Sequence, residues 1–296
     1  MAGIKIDGLY PAMVTSFDSN GELAVDTVKQ TARFLIKAGC AGIVCNGSTG
    51  EAANLSREER ITVIRTTREA IGKELAVIAG TGTPTTRGTV ELSRDAIEAG
   101  ADAVLVITPF NIIPNSDGLF RHFAAVAESG FPVILYNLPE HTGVEIDFGT
   151  IERLLNSYDN IVGIKESSGD LSYFAEIIRR FGDAFAPING ADALIFQCTL
   201  MGSPASILAL GNIAPKMIIQ VMDLAKRGDV AGAKKIYYKL VPIARAISDA
   251  VNFPAPIKAA LTLLGRPAGD PRLPTVPVDD EEASSIKEAL QTAGLL

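Results

Sequence analysis

Residues 42–80 read GIVCNGSTGEAANLSREERITVIRTTREAIGKELAVIAG, and three kinds of segment follow one another within them. The run at 42–46 is apolar as far as Asn46 and has the length of a strand buried on both faces. A turn of Gly, Ser and Thr comes next. The stretch 56–71 then sets apolar residues at helical spacing behind Ser56, a residue type that starts helices. A second apolar run at 75–79 closes the unit, and strand, helix, strand in this order predicts a parallel βαβ crossover.

The same rhythm extends outward in both directions. Further short apolar or β-branched runs lie at 9–15, 103–107, 133–136, 161–165, 184–188 and 205–208, and a helix is predicted over 86–99. Together these make eight strands. Eight parallel strands with crossover helices favour a closed (β/α)8 TIM barrel, with an open doubly wound sheet as the competing architecture. Beyond about residue 213 the pattern turns helical only, at 215–226, 230–248, 254–264 and 279–292, with a Pro- and Gly-rich ordered loop over 265–277. We read a barrel over 1–225 and a C-terminal helical extension over 226–296.

Composition narrows the function. The 296 residues are 47 % hydrophobic and 21 % charged, which suits a compact chain with a large core. A net charge of −7 without a concentrated Lys/Arg tract argues against a surface that tracks phosphates, so no nucleic-acid partner is expected. Cys40, Cys45 and Cys198 match neither a zinc pair nor a disulfide framework and read as reduced core residues. The opening MAGIKIDGLYP lacks an apolar signal core, and no apolar run has the length of a membrane span. A cytoplasmic, membrane-free protein is the expectation.

In a barrel, chemistry belongs to polar residues at the carboxyl ends of strands. Lys165 ends the run 161–164, where desolvation disfavours the ammonium form and leaves an amine able to attack a carbonyl. The competing account is a lysine paired with Glu166 or extended into solvent. Tyr136 ends another apolar run, placed either to relay protons or to serve as an ordinary core phenol. Gly47, Ser48, Thr49 and Gly50 offer hydroxyls and free amides suited to an anion, although a tight turn explains the glycines as well. His141 follows Tyr136 closely enough to reach a pocket mouth, whereas His122 reads as part of a helix. No His, Asp and Glu cluster has metal-ligand spacing, so no metal is expected.

Taken together, GSTGE at 47–51, YNLP at 136–139, GIKES at 163–167, NGADA at 189–193 and LGN at 210–212 resemble one family. It is the dihydrodipicolinate synthase and N-acetylneuraminate lyase superfamily of pyruvate-dependent class I aldolases. The resemblance runs from Gly8 to the terminal helices. It implies a barrel with a helical extension, assembled as a dimer of dimers and acting on a small 2-oxo acid through imine chemistry that uses neither a metal nor an organic cofactor. Lys165 matches the imine-forming lysine, Tyr136 the proton shuttle and Ser48 the hydroxyl bonded to it. Gly47 and Thr49 match the carboxylate-binding loop, and Asn111, His141 and Gly190 are the remaining positions expected to face substrate.

Two positions depart from the pattern. Dihydrodipicolinate synthases usually carry a second tyrosine after the fourth strand, where this chain has Phe110 and Asn111, and an arginine where it has His141. A neutral imidazole cannot reproduce the bidentate carboxylate contact of a guanidinium. The departures point towards aldol cleavage or dehydration of a 2-keto-3-deoxy sugar acid or a related hydroxylated 2-oxo acid. Dihydrodipicolinate synthesis is the main rival. A catalytically silent barrel that binds keto acids is the rival of another class, and a metal-dependent class II aldolase is a weaker one.

Overall fold

The computed structural model describes residues 4–248 and 252–296. The first three residues of the chain, and with them part of the amino-terminal stretch read above, lie outside the described residues. Eight strands form one parallel sheet: β1 Gly8–Pro11, β2 Gly42–Cys45, β3 Ala76–Gly80, β4 Ala103–Ile107, β5 Val133–Asn137, β6 Ile161–Glu166, β7 Ala186–Asn189 and β8 Ala205–Leu208. The ladder runs from β1 through β8 and back down the chain order to β2. Between β1 and β2 the ring is closed by an Ala12–Val44 bridge, with Ala41 N donating to the Leu9 carbonyl at 2.9 Å and Met13 N to that of Val44 at 2.8 Å. The architecture is the (β/α)8 TIM barrel, and the open sheet is set aside.

The helices in chain order are α1 Val25–Lys37, α2 Arg57–Ile71, α3 Thr86–Glu98, α4 Ser116–Ala127, α5 Pro139–Thr142, α6 Phe148–Ser157, α7 Leu171–Phe181, α8 Ile195–Leu200, α9 Pro215–Lys226, α10 Val230–Ser248, α11 Ala255–Leu263 and α12 Asp280–Ala293. Helix α2 starts as the sequence predicts. Ser56 Oγ accepts the Glu59 N–H at 3.1 Å while Glu59 Oε2 accepts that of Ser56 at 2.8 Å, a capping box worth about 1 kcal/mol. The predicted loop 265–277 contains neither helix nor strand, and the last three helices form the extension after α9.

Successive side chains on a strand point to opposite faces, and this alternation sorts the core. On β5, Ile134 and Tyr136 join the cluster inside the barrel, while Val133 and Leu135 pack outward beneath the helices. On β6, Ile164 faces the helices, so the next residue, Lys165, is directed inward. Parity within the strands therefore decides which polar residues the barrel interior receives.

Candidate active site

Lys165 and Tyr136 are register partners on β6 and β5. Both are buried, at 7 % exposure each, and the lysine Nζ lies 4.0 Å from the centre of the phenol ring. Glu166 faces the other way. It accepts a hydrogen bond from Asn137 Nδ2 at 2.6 Å and another from the Ser168 N–H, and burial pushes its carboxyl above the usual range. The account in which Lys165 is neutralised by its neighbour in sequence therefore fails, because strand geometry separates them.

Tyr136 forms part of the wall of a cavity of about 470 Å³, at the ends of the strands that carry the named loops. Gly47, Ser48, Asn111 and His141 line the same space, as does Thr142, whose hydroxyl accepts from that of Thr108 at 2.8 Å. Thr49, in the same loop, is buried and lies outside the lining. Gly190 is also outside the lining. A Cβ on it would overlap Ser167 Oγ and come within 2.9 Å of Lys165 Cε, so its bare backbone is what lets the lysine stem pass. His122 lies apart on α4, buried, with Nδ1 3.1 Å from Thr86 Oγ1, and burial holds its imidazole down to about 4.

Backbone strain is concentrated here. Among the described residues, the non-glycine positions with positive φ are Asn46 at 55°, Glu51 at 53° and Asn111 at 62°, and all three line this cavity. Left-handed backbone costs such residues about 1 kcal/mol or more and persists where surrounding contacts over-determine it. Glu51 is held by a 2.7 Å ion pair with Lys258 of α11. Asn46 Nδ2 donates to the Arg60 carbonyl at 3.0 Å, and Arg60 has its guanidinium charge disfavoured by burial. Near Lys165, burial pushes the Asp192 carboxyl up to about 6 although it accepts the Leu210 N–H at 2.9 Å.

The sequence assigns no role to Asn46, Glu51, Arg60 or Asp192, although Glu51 closes the GSTGE stretch and Asp192 lies within NGADA, and it does not reveal the wall that the extension supplies through Phe253, Pro254, Pro274 and Thr275. One signal was present for the extension: Lys258 stands alone in the apolar run APIKAALTL, the pattern of a buried and therefore paired charge. Among the described residues no group of three His, Cys, Asp or Glu side chains is placed to hold a metal ion. None of their helices is long and apolar enough to cross a membrane.

A TIM barrel with a buried lysine at a strand end, set against a tyrosine beside an open cavity, defines an enzyme of the class I aldolase type, a lyase. The particular group follows from comparison: residues 5–293 match the dihydrodipicolinate synthetase family, and the chain belongs to it. It is 38 % identical to the 4-hydroxy-tetrahydrodipicolinate synthase of Methanothrix thermoacetophila over 285 residues, 96 % of this chain and 95 % of the other. It is equally 38 % identical to the protein of that name from Methanocaldococcus jannaschii, over 98 % of this chain and 99 % of the other. A crystal structure of the chloride-inhibited dihydrodipicolinate synthase from Acinetobacter baumannii, complexed with pyruvate, superposes with a TM-score of 0.94 at 34 % identity, covering 99 % of this chain and all of that one.

Proposed function

We propose that Lys165 forms a Schiff base with pyruvate and that the resulting enamine condenses with an aldehyde, the 4-hydroxy-tetrahydrodipicolinate synthase reaction. The observation that carries this reading is the inward-facing Lys165 amine 4.0 Å from the Tyr136 ring, in a chain whose full-length relatives bear that name. The order of preference expected from the sequence is thereby reversed, since the relatives favour the synthase over the sugar-acid lyase.

The steps follow from the chemistry of the groups. The Lys165 amine nitrogen attacks C2 of the keto acid, and the carbinolamine loses water with Tyr136 delivering and recovering the proton. The protonated imine is the electron sink that lets C3 lose a proton. The enamine carbon then attacks the aldehyde carbonyl and the new alkoxide takes up a proton. Attack on the imine carbon by water, or by the amino group of the aldehyde substrate, breaks the bond to nitrogen and returns the lysine as its amine. Ser48 supports the phenol as hydrogen-bond partner, while Gly47 and the Ser48–Thr49 backbone receive the keto-acid carboxylate. Asn111 and His141 lie where the acceptor enters, and Gly190 leaves room for the lysine. A dimer of dimers in the cytoplasm belongs to the same proposal, with Ile112 and Ile113 exposed by 52 % and 76 % on the loop after β4 as surface for a second copy.

A second reading rests on Asn111 and His141, which stand where the family resemblance calls for tyrosine and arginine. It is cleavage or dehydration of a 2-keto-3-deoxy sugar acid through the same imine. Turnover of pyruvate with aspartate semialdehyde, measured beside turnover of 2-keto-3-deoxygluconate, decides between them. Faster condensation supports the synthase, and activity on the sugar acid alone assigns the second reading. Borohydride trapping with pyruvate tests what they share, and a protein that binds pyruvate without an adduct is the silent barrel.

A further inference from the structure

The loop 47–51 carries the hydroxyls of Ser48 and Thr49 at its centre and a buried carboxylate at its end. Glu51 Oε1 stands 2.7 Å from Lys258 Nζ, with the two side chains 2 % and 3 % exposed. Its other oxygen accepts the backbone N–H of Arg272 at 2.9 Å. Lys258 also donates to the Asp270 carbonyl at 3.1 Å and lies 4.4 Å from the centre of the Phe17 ring. Two charges removed from water are tolerated only when they are paired and further hydrogen-bonded, and this pair is both. Burial lowers the Lys258 pKa while Glu51 acts against that shift.

With both oxygens engaged, Glu51 is placed to hold backbone rather than to attack or protonate a substrate. Its N–H donates to the Ser48 carbonyl at 3.0 Å, and the Gly50 N–H to that of Gly47 at 3.1 Å. The Gly50 carbonyl in turn accepts from Thr15 Oγ1 at 2.6 Å. The turn thus closes on itself, and its far end is anchored through a side chain to α11, outside the barrel.

We infer that Glu51 and Lys258 are positioning residues: their buried ion pair sets the Ser48–Thr49 turn in the place where the keto-acid carboxylate is captured. The C-terminal extension is then a working part of the site as well as a cover for the barrel. This inference rests on the Schiff-base reading of Lys165 with pyruvate.

The test is borohydride trapping across a range of pyruvate concentrations, together with steady-state kinetics, on wild type, Glu51→Gln/Lys258→Met and Lys258→Arg. The double variant removes both charges, so neither is left buried alone. Misplacing the turn by a fraction of an ångström is expected to raise its half-saturating pyruvate about ten-fold while kcat at saturation stays within about three-fold. Lys258→Arg restores the charge and is expected to return most of that loss. Should the double variant not fold, Glu51→Asp takes its place, since it keeps the pair but draws the loop by one methylene, and a raised half-saturation is again expected.

A merely structural pair lowers the melting temperature and leaves the half-saturation of the folded protein unchanged, and that result overturns the inference. Failure of the wild type to trap pyruvate sinks the Schiff-base reading instead, so the two failures are told apart.

Discussion

Lys165 and Tyr136 occupy matched positions on adjacent parallel strands, which brings the lysine Nζ to 4.0 Å from the phenol ring centre without any loop having to place either group. Sites built on strands hold geometry better than sites on loops. Replacing Lys165 by Ala is expected to abolish the borohydride adduct with pyruvate and all turnover. Tyr136→Phe keeps the ring but loses the proton carrier, so kcat is expected to fall about 10²- to 10⁴-fold while the lysine can still be trapped slowly. Intact mass and rate measured on the same preparations check both, and a Phe variant of undiminished kcat would remove Tyr136 from the mechanism.

Gly190 gives a second prediction because its surroundings leave no space for a side chain. In Gly190→Ala the new methyl meets Ser167 Oγ and stands 2.9 Å from Lys165 Cε, between two neighbouring strand ends. Overpacking of this kind costs about 1–3 kcal/mol. The melting temperature is expected to drop, and the rate of imine formation to drop further than stability alone requires, since the displaced group is the nucleophile's own stem. Stopped-flow trapping of the folded fraction makes the check, and an unchanged rate would show that the lysine relaxes freely.

The strand pattern made most of this geometry legible in advance. Predicted runs at 103–107 and 205–208 coincide with β4 and β8, and the four helical stretches beyond 213 reappear as α9 to α12. The misses have physical causes. The first strand ends at Pro11 rather than residue 15, since the chain leaves the sheet there with only the Ala12 bridge to mark its path. The seventh begins at Ala186 rather than 184, because the Ala184 N–H is taken by the Phe181 carbonyl in the turn that ends α7. Lys165 and Tyr136 can be named as candidates because a polar residue closing an apolar strand is a local signal. Position alone favours a paired lysine and a core tyrosine, and it is the motif resemblance that tips both towards chemistry. The contact of Glu51 with Lys258 is not legible, since pairing across most of the chain leaves no periodic trace.

His141 and Asn111 carry the acceptor prediction. Both line the cavity, and His141 is exposed on the short helix α5 after β5. A guanidinium offers a carboxylate two parallel hydrogen bonds, so His141→Arg is expected to improve kcat/KM for aspartate semialdehyde about ten-fold, with little effect on pyruvate trapping. Asn111→Tyr is expected to add to that gain if the position completes a proton relay. Steady-state kinetics with both substrates provides the check. No change in the aldehyde KM for either variant would place the acceptor elsewhere in the cavity.

His122 makes a prediction about acid stability that is independent of catalysis. It is 3 % exposed on α4, its Nδ1 is 3.1 Å from Thr86 Oγ1, and burial holds its pKa down to about 4 against 6.5 when unfolded. Between those values the unfolded chain binds a proton that the folded chain refuses, so the stability contributed by the neutral ring is complete above about pH 6.5 and is lost as pH falls towards about 4. The slope from this one group is at most about 1.4 kcal/mol per pH unit, and below about pH 4 both states are protonated and it vanishes. His122→Gln keeps a partner for Thr86 but cannot titrate. Urea unfolding at a series of pH values from about 7 to 4 is expected to show wild type losing stability more steeply than the variant within that window alone. Parallel curves would mean that the imidazole takes up its proton in the folded protein, against the desolvation that its position on α4 imposes.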